Sequence, residues 1–318
     1  MIAFGPVPSR RLGYSLGINH IPVKHCTYAC VYCQVGRTSH MGLRRQTFYP
    51  VSQIVDEVET KITEYSKSGN EINYLTLVPD GEPTLDLNLG KLIEKLKQFR
   101  IPIAVISNAS LIDRIDIQDE LLLADWVSLK VDSVVEPVWR KINRPTLQLN
   151  LENILTGILA FRNRYKGEVV TETMLVAGVN DDESVLHQLC DFLLNLQPFK
   201  SYLSIPTRPP AQAWAIPPSL ESLSKIIKFC YDRVPFIDLL FESEVGEFAS
   251  TGNLKEDILG ITAVHPIREE ALRDMIARTN GTWLAVEELL TSGQLGCILY
   301  RHEKVYLRNF QHSSNAKT

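Results

Sequence analysis

Apolar runs of strand length alternate with longer amphipathic segments over most of the chain. A polypeptide patterned this way lays a parallel sheet against a layer of helices. The predicted strands are Tyr14–Ile21, Ile72–Val78, Ile101–Ile106, Trp126–Val131, Val169–Val176 and Tyr202–Ile205. Helices are predicted over Val51–Ser66, Leu89–Phe99, Asp116–Leu123, Leu151–Tyr165, Glu183–Leu196 and Leu220–Tyr231. Each strand runs into polar, Gly or Pro residues, and in a parallel barrel all such ends share the face where barrel enzymes place their chemistry. Six units are too few to close an eight-unit barrel. The expected fold is therefore α/β, a partial (β/α)6 TIM-like barrel whose open side admits a large substrate.

After about Gly246 the pattern becomes helical over Lys255–Ile261, Glu269–Thr279 and Trp283–Leu290, followed by a hairpin of Cys297–Tyr300 and Lys304–Leu307 around Arg301 to Glu303. This divides the chain into a barrel over residues 1–248 and a small C-terminal winged-helix-like domain over 249–318, with a disordered tail at Gln311–Thr318. Residues 254–318 hold eight Lys or Arg against eight Asp or Glu. Such neutrality suits packing or substrate guidance better than duplex binding.

Three of the six cysteines, Cys26, Cys30 and Cys33, fall within eight residues, while Cys190, Cys230 and Cys297 are scattered through apolar segments. No apolar run approaches the roughly 20 residues that span a bilayer, and the N-terminus lacks a signal-peptide pattern, so a cytoplasmic protein without membrane contact is expected. Clustered thiols in that setting point to metal or redox chemistry. No Asp or Glu precedes Asp56, whereas Arg10, Arg11, Lys24, Arg37, Arg44 and Arg45 do. They form either a solvated basic face or a positive rim for anionic ligands.

Thiolates suit zinc or iron–sulfur clusters, and the spacing Cys-x3-Cys-x2-Cys wraps one corner of a four-iron cubane. Three ligands for four irons leave one iron open to an external ligand. The competing reading is a zinc site completed by His40 or His20. Cys190, Cys230 and Cys297 read as core thiols.

The stretch Cys26-Thr-Tyr-Ala-Cys30-Val-Tyr32-Cys33 resembles the signature of the radical S-adenosylmethionine (SAM) superfamily. Together with Gly5 to Arg11, Gly81 to Thr84, Ser128 to Asp132 and Tyr202 to Pro210, it is similar to an iron–sulfur oxidoreductase branch related to the tRNA wyosine-base synthases. The resemblance implies a [4Fe-4S] cluster on the three cysteines, SAM as cofactor, and a flavodoxin or ferredoxin as electron donor. It further implies reductive cleavage of SAM to a 5′-deoxyadenosyl radical that takes hydrogen from an RNA or protein substrate.

By the same resemblance, Gly81, Glu82 and Pro83 bind the methionyl amino group, Ser107 and Asn108 the carboxylate or ribose, and Tyr32 places the adenine. Lys130 meets the carboxylate and Asp132 a ribose hydroxyl, unless the two form an internal ion pair. Asn180 and Arg208 are expected to face the substrate. Wyosine enzymes carry further N-terminal cysteines, and the stretch before Cys26 has none. An iron–sulfur redox sensor acting through a DNA-binding winged helix is the alternative function.

Overall fold

The inner strands bury because their apolar residues leave them no other stable place. Val127, Leu129, Val169 and Leu203 are fully or almost fully inaccessible and pack with Ile154, Ile158 and Leu189 from the helices. A computed structural model describes residues 2–66, 71–207, 210–240, 254–264, 267–279, 281–300 and 303–309. In chain order its elements are β1 (Ala3–Ser9), β2 (Gly13–Ile18), β3 (His25–Cys26), β4 (His40–Met41), α1 (Val51–Ser66), β5 (Tyr74–Leu77), α2 (Leu89–Leu96), β6 (Ile103–Ser107) and α3 (Ile115–Leu121). There follow β7 (Trp126–Lys130), α4 (Glu136–Asn143), α5 (Leu151–Arg164), β8 (Glu168–Met174), α6 (Glu183–Leu196), β9 (Lys200–Ser204), α7 (Leu220–Arg233) and β10 (Ile237–Leu239). The last are α8 (Leu254–Val264), β11 (Ile267–Arg268), α9 (Glu269–Arg278), α10 (Leu284–Thr291), β12 (Leu295–Tyr300) and β13 (Glu303–Arg308).

The main sheet has the order β1-β2-β5-β6-β7-β8-β9-β10. From β2 to β10 every pairing is parallel, and β1 runs antiparallel on the edge. All six predicted strands are present, and α1 and α6 occupy the residues predicted for them. The sheet nevertheless exceeds six strands. β1 went unpredicted because Gly5, Pro6 and Pro8 interrupt it, and proline confines a strand to an edge, where β1 indeed lies. β10 is only Ile-Asp-Leu. The short α4 also escaped prediction, since Pro137 stands in its first turn and reads as a loop residue.

Alternation places Trp126, Ser128 and Lys130 on the face opposite Val127 and Leu129. There Trp126 joins Leu12, Ala104, Val170 and Tyr202 in a separate inner cluster. Because the long strands are parallel, the residues after β2, β5, β6, β7, β8 and β9 all emerge on one edge. The cysteine loop and the two buried carboxylates described below lie there.

Towards the C-terminus, β11, β13 and β12 form a three-stranded antiparallel sheet. Ile258, Leu272, Met275, Val286 and Leu289 make a second core beneath it. Ile298 and Val305 instead join the main core. β12 lies directly on α7: a Cβ at Gly296 would stand 2.0 Å from Leu220 Cδ1, so a side chain there would have to displace that leucine. The expected boundary between residues 248 and 249, the turn residues Arg301 and His302, and the tail Gln311–Thr318 lie outside the described residues.

Candidate metal centre and cofactor site

The cysteine loop leaves β2 and is tied to three neighbouring segments. On one side, Lys24 N donates to the Asp80 carbonyl (2.8 Å) and Glu82 N to the His25 carbonyl (3.0 Å). Gly81 stands between these bonds, and a Cβ there would come within 2.1 Å of the His25 carbonyl oxygen. The backbones approach too closely for any side chain. Gly81→Ala is accordingly expected to cost about 1–3 kcal/mol and to loosen the loop. Chemical denaturation, with iron content after reconstitution, checks this.

On the other side, Ala29 N donates to Asn143 O (3.1 Å), Val31 N to Ile142 O (2.9 Å) and Gln212 N to Val31 O (2.9 Å). Cys33 N donates to Cys30 O (3.2 Å), and Gly36 N to Cys33 O (3.2 Å), closing the loop as a turn.

The three thiols are free and half-buried, and each accepts a hydrogen bond from a different part of the chain. Asn108 Nδ2 donates to Cys26 Sγ (3.4 Å), Asn143 Nδ2 to Cys30 Sγ (3.4 Å) and Lys24 Nζ to Cys33 Sγ (3.3 Å). Lys24 Nζ also donates to the Gly36 carbonyl. Burial, with the Glu82 charge second, pushes the Cys26 thiol up to about 11. Burial and the charges of Asp132 and Cys26 raise Cys30 as well. Thiolates crowded in this way need a cation among them, because metal binding is what deprotonates such ligands.

Among the described residues, no three His, Cys, Asp or Glu side chains converge as ligands of a single ion do. His20 is fully buried, and burial, opposed by backbone contacts with Pro83 and Ile18, holds it down at about 4. The His40 ring stacks on His25 at 4.3 Å. Three sulfurs, each with one N–H partner, are a donor set that suits an iron–sulfur cluster.

Two buried carboxylates organise the strand ends around the thiols. Glu82 Oε1 accepts from Thr84 N (3.1 Å), Thr84 Oγ1 (2.7 Å) and Ser107 Oγ (2.7 Å), while Oε2 accepts from Asn108 N (2.7 Å). It joins the ends of β5 and β6. Asp132 accepts from Tyr32 Oη, Asn143 Nδ2 (2.6 Å) and Met174 N (2.7 Å). Burial raises the pKa of both carboxyls despite these bonds.

On the inner face, Glu172 accepts from Lys130 Nζ (2.9 Å), Arg11 Nη1 (2.8 Å) and Ser204 Oγ (3.2 Å). Arg11 also lies 5.5 Å from the Trp126 ring and 5.8 Å from the Tyr202 ring. Burial opposes ionisation of Glu172, but Lys130 and Arg11 outweigh it and hold the carboxyl down at about 2. Its charge therefore stabilises the fold above the ordinary value of 4.5, and that contribution disappears as the pH falls towards 2. The effect is on the order of 3 kcal/mol. Glu172→Gln is expected to flatten this part of the acid-unfolding curve and to lower stability at neutral pH, as denaturant midpoints across the range will show.

A sequence profile described as the radical SAM superfamily matches residues 20–189, more than half of the chain. The chain belongs to the radical SAM superfamily. It is a radical SAM enzyme, and membership implies use of SAM and an iron–sulfur cluster. Relatives of this radical SAM protein include a UPF0026 protein of Methanocaldococcus jannaschii, 46% identical over 313 residues, 98% of this chain and 97% of the relative. A UPF0026 protein of Synechocystis is 36% identical over 208 residues, 65% of this chain and 76% of the relative. Among solved structures, a radical SAM methyltransferase from Sphaerobacter thermophilus aligns with a TM-score of 0.56 at 15% identity, over 71% of this chain and 66% of that one. TYW1 with a lysine-pyruvate adduct bound aligns with a TM-score of 0.52 at 17% identity, over 70% and 76% of the two chains. At such identity these structures share the fold alone.

Of the expected SAM contacts, Asn108 donates to Cys26 Sγ, Gly81 and Glu82 lie against the His25 carbonyl, and Tyr32 shares Asp132 with Asn143, the donor to Cys30. Several are used differently from the sequence expectation. Lys130 bonds to Glu172 and not to Asp132, so the alternative of an internal Lys130–Asp132 ion pair is not what forms. Asn180 does not reach out to a substrate. Its Oδ1 accepts from Val176 N (2.8 Å) and its Nδ2 donates to the carbonyls of Asp132 and Met174 (2.8 Å each), which fixes the ends of β7 and β8. Arg208 lies outside the described residues.

The supposed basic rim is also divided. Arg11 and Arg45 are paired internally, whereas Arg37 and Arg44 are exposed. Lys24, read as one of the rim cations, meets Cys33 Sγ instead of lining a rim, and Asn143 and Glu172 were not expected in the site. For Glu172 a signal existed: a carboxylate inside the apolar strand Val-Val-Thr-Glu-Thr-Met requires a buried partner.

Proposed function

We propose that Cys26, Cys30 and Cys33 hold a [4Fe-4S] cluster whose fourth iron receives SAM, and that the enzyme acts on a large substrate at the open edge of the sheet. The observation carrying this reading is the set of three thiols, each with one N–H donor, at the edge where the parallel strands end. When bound, the cluster supplies one electron that cleaves SAM to methionine and a 5′-deoxyadenosyl radical, which abstracts a substrate hydrogen atom.

The chain's own groups bind and orient. Backbone carbonyls of Gly81 to Pro83 meet the methionyl amino group, and the Glu82 carboxylate, occupied by its internal bonds, keeps that turn in place. Ser107 and Asn108 define the next strand end. Lys130 has three N–H donors, of which Glu172 takes one, and it directs its charge to the SAM carboxylate. Asp132 orients Tyr32, against which the adenine lies, and Asn143 beside Cys30. A flavodoxin or ferredoxin delivers the electron. Residues 249–318 act as a winged-helix-like unit that guides the substrate, a role supported by the anchoring of β12 on α7 and by the balanced charge.

Adding SAM to the reduced, cluster-loaded protein should alter its electron paramagnetic resonance spectrum. A spectrum unchanged by saturating SAM would show that no iron is open to it.

A further inference from the structure

Beside Cys30, the strand-end edge carries an exposed aromatic–cation pair that SAM binding does not use. Trp214 is 44% exposed. It sits in the loop after β9, where Pro206, Pro210, Pro217 and Pro218 restrict the backbone. The loop is held from below: Gln212 N donates to Val31 O (2.9 Å), and Ala215 is buried with Val31, Tyr32 and Ile142. The Arg144 guanidinium lies 5.9 Å from the centre of the Trp214 ring. Arg144 follows Asn143, the donor to Cys30, and adopts φ 46° at the end of α4, where glycine is the usual residue.

Other exposed cations border the same segment. Arg37 precedes Thr38, whose hydroxyl donates to Tyr28 O (2.8 Å), and Tyr28 pairs with Pro145. Lys141 is exposed and donates to Gly178 O (2.9 Å). The neighbouring acids are already engaged: Glu136 by Arg140, Asp181 by Gly178 N, and Asp132 within its buried network.

A wet indole beside anchored Gln212 and Ala215 and next to a guanidinium plane presents the flat surfaces on which unpaired bases stack, and nearby cations match a phosphate backbone. Trp and Arg also dominate protein interfaces, and Ile216 and Leu147 nearby are exposed as well, but the charged side chains bordering the pair, Arg37 and Lys141, are cations. We propose that Trp214 and Arg144 receive an unpaired nucleobase of a single-stranded nucleic acid, with Arg37 and Lys141 meeting its phosphates. The inference rests on Cys30 belonging to the reaction centre.

The test uses the cluster-loaded protein and a fluorescently labelled, mixed-sequence single-stranded RNA of about 12 nucleotides, alongside DNA of the same sequence and the corresponding duplex. Binding with quenched tryptophan emission is expected, weakened roughly 5- to 150-fold by Trp214→Ala and largely retained by Trp214→Phe. Tighter binding of one strand chemistry would name the source. Equal affinity of Trp214→Ala and the wild type, no binding at moderate salt, or a duplex bound as tightly as the single strand would each overturn the proposal. So would binding of carboxymethylated casein through Trp214 in place of nucleic acid. SAM cleavage is assayed on the same samples. If cleavage persists without binding, only the platform falls; if the wild type fails to cleave SAM, the reading beneath it falls.

Discussion

Cys30→Ala is expected to yield a folded protein that retains no cluster after anaerobic reconstitution and releases no detectable 5′-deoxyadenosine. In the proposed site Cys30 is the middle of the three ligands, and its sulfur receives the Asn143 amide. Two remaining thiols cannot hold three irons of a cubane. The backbone bonds of Ala29 and Val31 to Asn143 and Ile142 do not involve the thiol, so the loop itself should keep its path. Iron and sulfide analysis, with circular dichroism as the folding control, reads out both halves. A cluster that forms normally on Cys30→Ala would remove Cys30 from the ligand set.

Asp132→Ala should have the second largest effect, and for a different reason. Its carboxylate is 2% exposed and satisfies the Tyr32 hydroxyl, the Asn143 amide and the Met174 N–H together. Removing it strands three buried donors, a loss of about 3–5 kcal/mol. Asn143 would also lose the bond that orients it towards Cys30, so cluster retention should fall along with the denaturation midpoint. Asp132→Asn keeps one carbonyl acceptor and should cost less. If Asp132→Ala unfolds at the wild-type midpoint, the network does not carry the weight assigned to it.

The six long parallel strands and most helices of the main sheet were legible because their apolar residues follow periods of 2 and 3.6. β1 was not legible, since its prolines and glycine carry the opposite local signal and only pairing to β2 overrides them. The cysteines stood out as candidate ligands from spacing alone. Their supporting groups were not: Lys24, Asn108 and Asn143 reach the sulfurs from three segments, and such convergence is a property of the fold. Asn180 shows the converse. A polar residue after a strand resembles a substrate contact, yet its amide is wholly engaged by the backbone. Glu172 lay between these cases, conspicuous as a charge within an apolar strand but without an evident partner until Arg11 and Lys130 met it.

The central claim is that the three thiols support reductive cleavage of SAM. Its most direct measurement is chromatographic quantification of 5′-deoxyadenosine and methionine after anaerobic incubation of the fully loaded protein with SAM and dithionite. Both products should accumulate in equal amounts and require the cluster. A fully loaded cluster with neither product above the protein-free control would contradict the account.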